Sequence, residues 1–166
     1  MDPTFSQLGI APQMLDTLER LHFKIPTPIQ LKTIPDALEG KDIIGIAQTG
    51  TGKTLAFAIP MIQRLAVTKG KALVILPTRE LALQVDQTLQ KIGYRGGLKS
   101  AVLIGGSPMG LQIRQLRNNP HVIVGTPGRI IDHLQQKLLH LNDVKILVLD
   151  EADRMLDMGF LPDIRR

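Results

Sequence analysis

The chain has 166 residues, 43% of them hydrophobic, and a formal net charge of +5 at neutral pH. That length suits one domain on one core; no stretch is long and apolar enough to cross a bilayer, and the N-terminus lacks the basic-then-apolar pattern of a secretory signal. With no cysteine among the residues, disulfides and thiolate metal sites are excluded, and the four scattered histidines offer no ligand cluster, so a cytoplasmic protein without a membrane partner is expected.

Two helices are predicted first, around Ala11–Leu21 and Pro28–Leu38. A strand at Asp42–Ala47 then runs into a helix over Gly52–Val67. Strands at Ala72–Leu76, Ser100–Ile104, Val122–Gly125 and Lys145–Leu149 alternate with helices over Arg79–Ile92, Met109–Arg117 and Arg129–Gln136. The strands are β-branched or Leu-rich without polar alternation, which suits burial on both faces of a parallel sheet. In Arg79–Ile92, Leu81, Val85, Leu89 and Ile92 recur along one helical face. The rhythm predicts an α/β fold with an open, mostly parallel sheet flanked by helices, in which ligands sit beyond the carboxyl ends of the strands. Every informative motif falls at one of those ends.

The first is AQTGTGKT, residues 47–54, between a strand and a helix. Gly50 and Gly52 allow torsions that turn successive N–H groups of Gln48–Thr54 toward a phosphate chain, and the helix N-terminus adds its positive dipole end. Lys53 can reach the β- and γ-phosphates, and the Thr54 hydroxyl can ligate Mg²⁺. Ala47 stands where the general P-loop pattern has its first glycine. A glycine-rich turn that merely joins strand to helix is the plain alternative.

The second is DEAD, residues 150–153, closing the last strand. Asp150 is placed to hold Mg²⁺ opposite the cradle, and Glu151 to polarise an attacking water as general base. The alternative is an acidic first turn that favours the dipole of a helix starting near Asp153.

The positive charge suits a polyanion, but aromatics are 3% of the chain and Trp is absent. A base-stacking platform is therefore hard to build, and any nucleic acid is expected to be gripped by its sugar-phosphate backbone.

Together, AQTGTGKT and DEAD resemble the DEAD-box RNA helicases, and further motifs follow in family order. ILPTREL at residues 75–81, GG at Gly105–Gly106, TPGR at 126–129, FKIPTPIQ at 23–30 and MLDMGF at 155–160 are all similar to family elements. The resemblance spans essentially the whole chain and implies a RecA-like P-loop NTPase domain over residues 1–166, with 1–38 as the adenine-recognition region. It implies ATP and Mg²⁺ as cofactors. Gln30 would pair with the adenine edge through its amide, Phe23 would stack on the ring, and the Ile25 backbone would lie alongside; the base is thus read ahead of a cradle made of Gln48, Thr49, Gly50, Thr51, Gly52, Lys53 and Thr54. Gln30 can also be a surface residue of a helix capped by Thr27 with Pro28 in its first turn, and the two readings are compatible. His22 stands where the family usually has glycine before the aromatic.

For RNA the resemblance implies Pro77, Thr78, Arg79, Gly105, Gly106, Thr126, Pro127, Gly128 and Arg129. Thr78 and Thr126 both look like helix N-caps, where hydroxyl and N–H groups can receive phosphates; taken singly, Thr-Pro is also an ordinary helix start and Gly-Gly-Ser-Pro an ordinary turn. In the family a Ser-Ala-Thr element and a second RecA-like domain with an arginine finger follow, so the chain is expected to be a fragment with weak nucleotide binding and slow hydrolysis. The activity implied is ATP-dependent RNA unwinding or remodelling. An ATP-regulated RNA clamp, an inactive nucleotide-binding fragment, or a P-loop motor acting on DNA or protein are the alternatives.

Overall fold

The computed structural model describes residues 4–45 and 52–151. The described residues up to Lys69, together with Lys91–Gly96, make one compact unit; Gly70–Gln90 with the residues from Gly97 onward make a second.

The first unit is helical, with α1 (Pro12–Arg20), α2 (Pro28–Leu38) and α3 (Lys53–Val67). Its buried side chains include Phe5, Leu8, Ile10, Met14, Leu18, Ile34, Leu55, Ile59 and Met61. Polar groups tie the chain between helices: Gln63 accepts the Ala11 N–H at 2.8 Å and donates to the Gly9 carbonyl at 3.2 Å, while the Arg64 guanidinium closes the end of α2 on the Leu38 carbonyl at 3.2 Å. Each bond satisfies a backbone group that a helix end or turn leaves over.

The end of α1 explains the residue ahead of Phe23. The Phe23 N–H donates to the Leu18 carbonyl at 2.9 Å and the His22 N–H to the Glu19 carbonyl at 3.0 Å, the paired bonds of a Schellman cap, which needs a left-handed residue between them. His22 is that residue, at φ +66°. A glycine fills the position without strain; histidine fills it at a cost, and Phe23 is delivered to the surface, 39% exposed.

The second unit is a four-stranded sheet, β1 (Lys71–Ile75), β2 (Ser100–Leu103), β3 (Val122–Gly125) and β4 (Val144–Leu149), in the order β2-β3-β1-β4. Every pairing is parallel. The strands are joined through α4 (Arg79–Gly93), α5 (Met109–Arg117) and α6 (Pro127–Gln135). Leu73, Ala101, Leu103, Ile123, Ile130 and Leu139 form one core cluster, with β3 buried along its whole length. On α4 the buried face runs Ala82, Val85, Leu89, Ile92. Small Ala82 heads it, and the bulkier Leu81 beside it is only partly covered.

Two expectations are corrected. Asp42–Gly45, the described part of the strand expected at Asp42–Ala47, pairs with no strand and is exposed, Ile44 by 93%; Ile46 and Ala47 lie outside the described residues. An apolar run has β propensity, but a strand needs a neighbouring backbone to bond, and among the described residues none lies beside it. β4 alternates instead of being buried on both faces: Lys145, Leu147 and Leu149 are exposed. It is the border strand of the described sheet, and among the described residues one of its faces is left uncovered.

Substituting His22→Gly should raise the unfolding free energy by up to about 1 kcal/mol, and His22→Val should lower it by about 1–2 kcal/mol, as a left-handed cap demands. Urea denaturation of the three proteins reads both; a destabilised glycine variant would contradict the cap assignment.

Candidate functional site

Parallel pairing brings four strand ends into one row. Leu103 lies opposite Gly125, Gly125 opposite Ile75, and Ile75 opposite Leu149. The ladder continues one residue further: the Thr126 N–H donates to the Leu103 carbonyl at 3.1 Å, the Leu76 N–H to the Gly125 carbonyl at 3.0 Å and the Asp150 N–H to the Ile75 carbonyl at 3.1 Å. Gly125 has no room for a side chain, since a Cβ there would stand 2.6 Å from the Leu103 carbonyl oxygen. Pro77–Arg79, Gly105–Gly106, Thr126–Arg129 and Asp150–Glu151, dispersed in sequence, therefore leave the sheet at the same edge.

Thr78 caps α4, its Oγ1 accepting the Leu81 N–H at 3.2 Å, and Pro77 before it is buried. Arg79 is exposed, and its guanidinium lies over Gly106, where a Cβ would collide with Nη1. Thr126 takes the N-cap position of α6 in an extended conformation, yet its hydroxyl makes no bond within the helix. Pro127 follows, buried, then exposed Gly128 and partly covered Arg129. Two helix starts thus open beside one another, a pairing whose dipoles suit anions.

At the border of the row, Asp150 is 8% exposed, and its Oδ1 accepts the Glu151 N–H at 3.1 Å. Glu151 has φ +57°, a left-handed conformation that is uncommon for a non-glycine residue and concentrates at functional sites.

In the first unit, α3 opens on Gly52, Lys53 and Thr54, all half-buried. Gln48, Thr49, Gly50 and Thr51 lie outside the described residues. Gly52 has φ +83°, and a Cβ on it would fall 2.5 Å from Gln30 Nε2 and 2.8 Å from Thr27 Oγ1. Gln30 is 2% exposed; its Oε1 accepts the Thr27 N–H at 2.9 Å and its Nε2 donates to the Gly52 carbonyl at 3.1 Å. One amide thereby joins the start of α2 to the start of α3. Each end of a carboxamide has a second hydrogen-bonding position, so these bonds do not exhaust Gln30. Ile25 is 61% exposed.

A buried network was not foreseen from the sequence. Gln112 on α5, 1% exposed, donates through Nε2 to the Ile104 carbonyl at 2.8 Å. Its Oε1 faces His133 Nε2 at 2.7 Å and Arg129 Nη1 at 3.4 Å. The Ile104 carbonyl can only accept, which fixes the amide orientation and makes His133 Nε2 the donor. His133 Nδ1 is buried with no hydrogen-bond partner. Burial, and then the Arg129 charge, push the His133 pKa below its ordinary 6.5, against a smaller opposing pull from Asp132. In sequence, Gln112 reads as one more polar position on an amphipathic helix, and no local signal marks it.

The fold and the row of loops at one sheet edge are those of a RecA-like domain. A solved DEAD box protein from Methanococcus jannaschii aligns over 98% of this chain and 45% of its own, with TM-score 0.92 and 41% identity. A hypothetical ATP-dependent RNA helicase from Sulfolobus tokodaii aligns over 94% of this chain and 46% of its own, with TM-score 0.89 and 38% identity. Residues 27–166 match the DEAD/DEAH box helicase family, and the chain belongs to it. Among curated relatives, the DEAD-box ATP-dependent RNA helicase CshA of Bacillus cereus is 51% identical over 163 residues, 97% of this chain and 31% of that protein. An ATP-dependent rRNA helicase of Candida albicans is 54% identical over 162 residues, 96% of this chain and 30% of that protein. The chain spans about a third of the length of these relatives.

Gly52→Ala should lower stability by about 1–3 kcal/mol, because it forces a left-handed alanine against Gln30; urea denaturation measures this, and an unchanged midpoint would refute the contact. His133 is held neutral in the fold, so the unfolded chain binds its proton first and stability must fall as pH drops through about 6.5 toward the lower folded value. Denaturation midpoints at pH 8 and pH 5.5 should differ less in His133→Asn than in the unsubstituted chain.

Proposed function

We propose that this chain is the ATP-binding half of an ATP-dependent RNA helicase, residues 1–166 acting as one domain and 1–38 as its adenine-recognition region. The observation that carries the reading is the shared edge at which four motif loops leave the sheet. Three of those loops carry the RNA residues, Pro77, Thr78, Arg79, Gly105, Gly106, Thr126, Pro127, Gly128 and Arg129, in a setting of helix starts and glycines that suits a phosphate backbone. The fourth carries Asp150 and Glu151.

The residues present fit a nucleotide. α3 begins with a left-handed glycine and has no acidic residue in its first turn, so the positive end of its dipole favours an anion. Lys53 would hold the β- and γ-phosphates, with Gln48–Gly52 forming the rest of the cradle. Phe23 and Ile25, both exposed, are open to an adenine, and the second positions of the Gln30 amide would read its edge. Mg²⁺ is proposed to be held by Thr54 and Asp150, with phosphate oxygens and water completing its shell. Bound there, the ion would neutralise charge building on the transferred phosphate. Glu151 would take a proton from the attacking water. RNA rather than DNA is favoured by the relatives' names; no described residue selects a 2′-hydroxyl. A second RecA-like domain, outside this chain, would supply the remaining RNA contacts and an arginine finger, and the cytoplasm is the compartment proposed.

Titration of a fluorescent ATP analogue with Mg²⁺ tests the cradle. Lys53→Ala should weaken binding at least tenfold, the loss of about 1.5–3 kcal/mol of charge-assisted hydrogen bonding. In the full-length enzyme proposed here, Glu151→Gln should keep nucleotide affinity and reduce RNA-stimulated hydrolysis by about 10²–10⁴. Unaltered hydrolysis would remove Glu151 as the base, and equal stimulation by DNA would remove the RNA preference.

A further inference from the structure

Two of the loops assigned to RNA are tied together from behind by a single amide. Gln112 donates to the carbonyl of Ile104, the residue directly before Gly105–Gly106, and its oxygen receives both His133 Nε2 and Arg129 Nη1. Arg129, its side chain 20% exposed, is further oriented by Asp132 Oδ2 at 3.7 Å and Met109 Sδ at 3.7 Å. A buried amide that loses a partner keeps the cost of desolvation, so such a network holds its geometry firmly once every member is placed. His133 has little freedom to leave, being fully buried on α6. The front of the arrangement is open: Gly105, Gly106 and Gly128 are exposed, and Arg79 reaches over Gly106.

We infer that Gln112 is a positioning residue, locked by His133, which sets the Gly105–Gly106 turn and the Arg129 guanidinium as one rigid pair against the phosphate backbone of single-stranded RNA. This rests on the proposed RNA reading and adds to it a residue that touches no RNA. Gln112 acts through two groups at once, since shifting its amide would move the end of β2 and the first turn of α6 together. Arg129 then contributes a fixed charge to the surface rather than a mobile one, and less side-chain freedom is lost on binding.

The test uses Gln112→Leu, which keeps volume and removes all three bonds, and Gln112→Glu, which keeps the acceptor toward His133 and Arg129 but loses the donor toward Ile104. NMR follows the Gly105 and Gly106 amides and the Arg129 Nε–Hε signal. Gln112→Leu should shift or broaden all three, and Gln112→Glu the glycines alone. In parallel, fluorescence anisotropy with a labelled single-stranded oligouridine should give a Kd raised about five- to twentyfold for Gln112→Leu, a change on the order of one or two ordinary hydrogen bonds. Gln112→Glu should fall between, with affinity for the fluorescent ATP analogue unchanged throughout. If Gln112→Leu does not fold, the isosteric glutamate variant is read by the same two measurements. A folded variant with unmoved glycine signals overturns the inference, as does a moved turn with unchanged oligouridine affinity, which would leave Gln112 a purely structural residue. If the unsubstituted chain fails to bind oligouridine, the RNA reading itself falls, and that result is recognised by its independence of Gln112.

Discussion

The arrangement depends on the alignment of strand ends in the parallel ladder. Gly125 lies between Leu103 and Ile75, and the close approach of its Cα to the Leu103 carbonyl lets the row form. A parallel sheet sends every strand end the same way, so one register decides where four loops begin. A slip of one residue would turn each strand's core face outward. With the register fixed, motifs that carry no information about one another in sequence become neighbours, and their helix starts add their fields.

The two helix starts of this edge are finished differently. Thr78 spends its hydroxyl on its own helix, whereas the Thr126 hydroxyl remains unused by α6. The first arrangement makes a rigid start; the second leaves an oxygen for whatever approaches. At the other end of the chain the same economy appears in Gln30, whose amide joins two helix starts while retaining one donor and one acceptor position. Groups that meet local backbone requirements at these helix starts keep hydrogen-bonding positions to spare.

Much of this was legible in the residues. Short apolar runs bounded by turns gave β3 its observed limits and the other three paired strands theirs to within a residue, because turn residues and glycines punctuate each run. Helix starts were legible through Thr-Pro and Thr-Arg pairs. What escaped were properties that belong to pairs of distant groups. DIIGIA has the composition of a strand, but pairing is not a property of composition, and Asp42–Gly45 runs unpaired. β4 reads like β3 in sequence, yet among the described residues Leu147 and Leu149 are exposed. Gln112 is indistinguishable in sequence from the exposed Arg114 and Arg117 of the same helix, because hydrophobic periodicity says which face is polar and nothing about what polar groups meet there. His22 could be seen to replace glycine, yet the reason, a left-handed cap ending α1, required coordinates.

The outer border of β4 brings a liability of another kind. Among the described residues no strand pairs along its far side, and Leu147 and Leu149 stand uncovered with Lys145 the only charge in the strand. Backbone groups in that state template addition of a foreign strand. One ammonium per copy is a weak gatekeeper, and salt screens it within about 10 Å at 0.1 M. Among the described residues this border is where addition of a foreign strand would begin, and high salt weakens the one charge that opposes it.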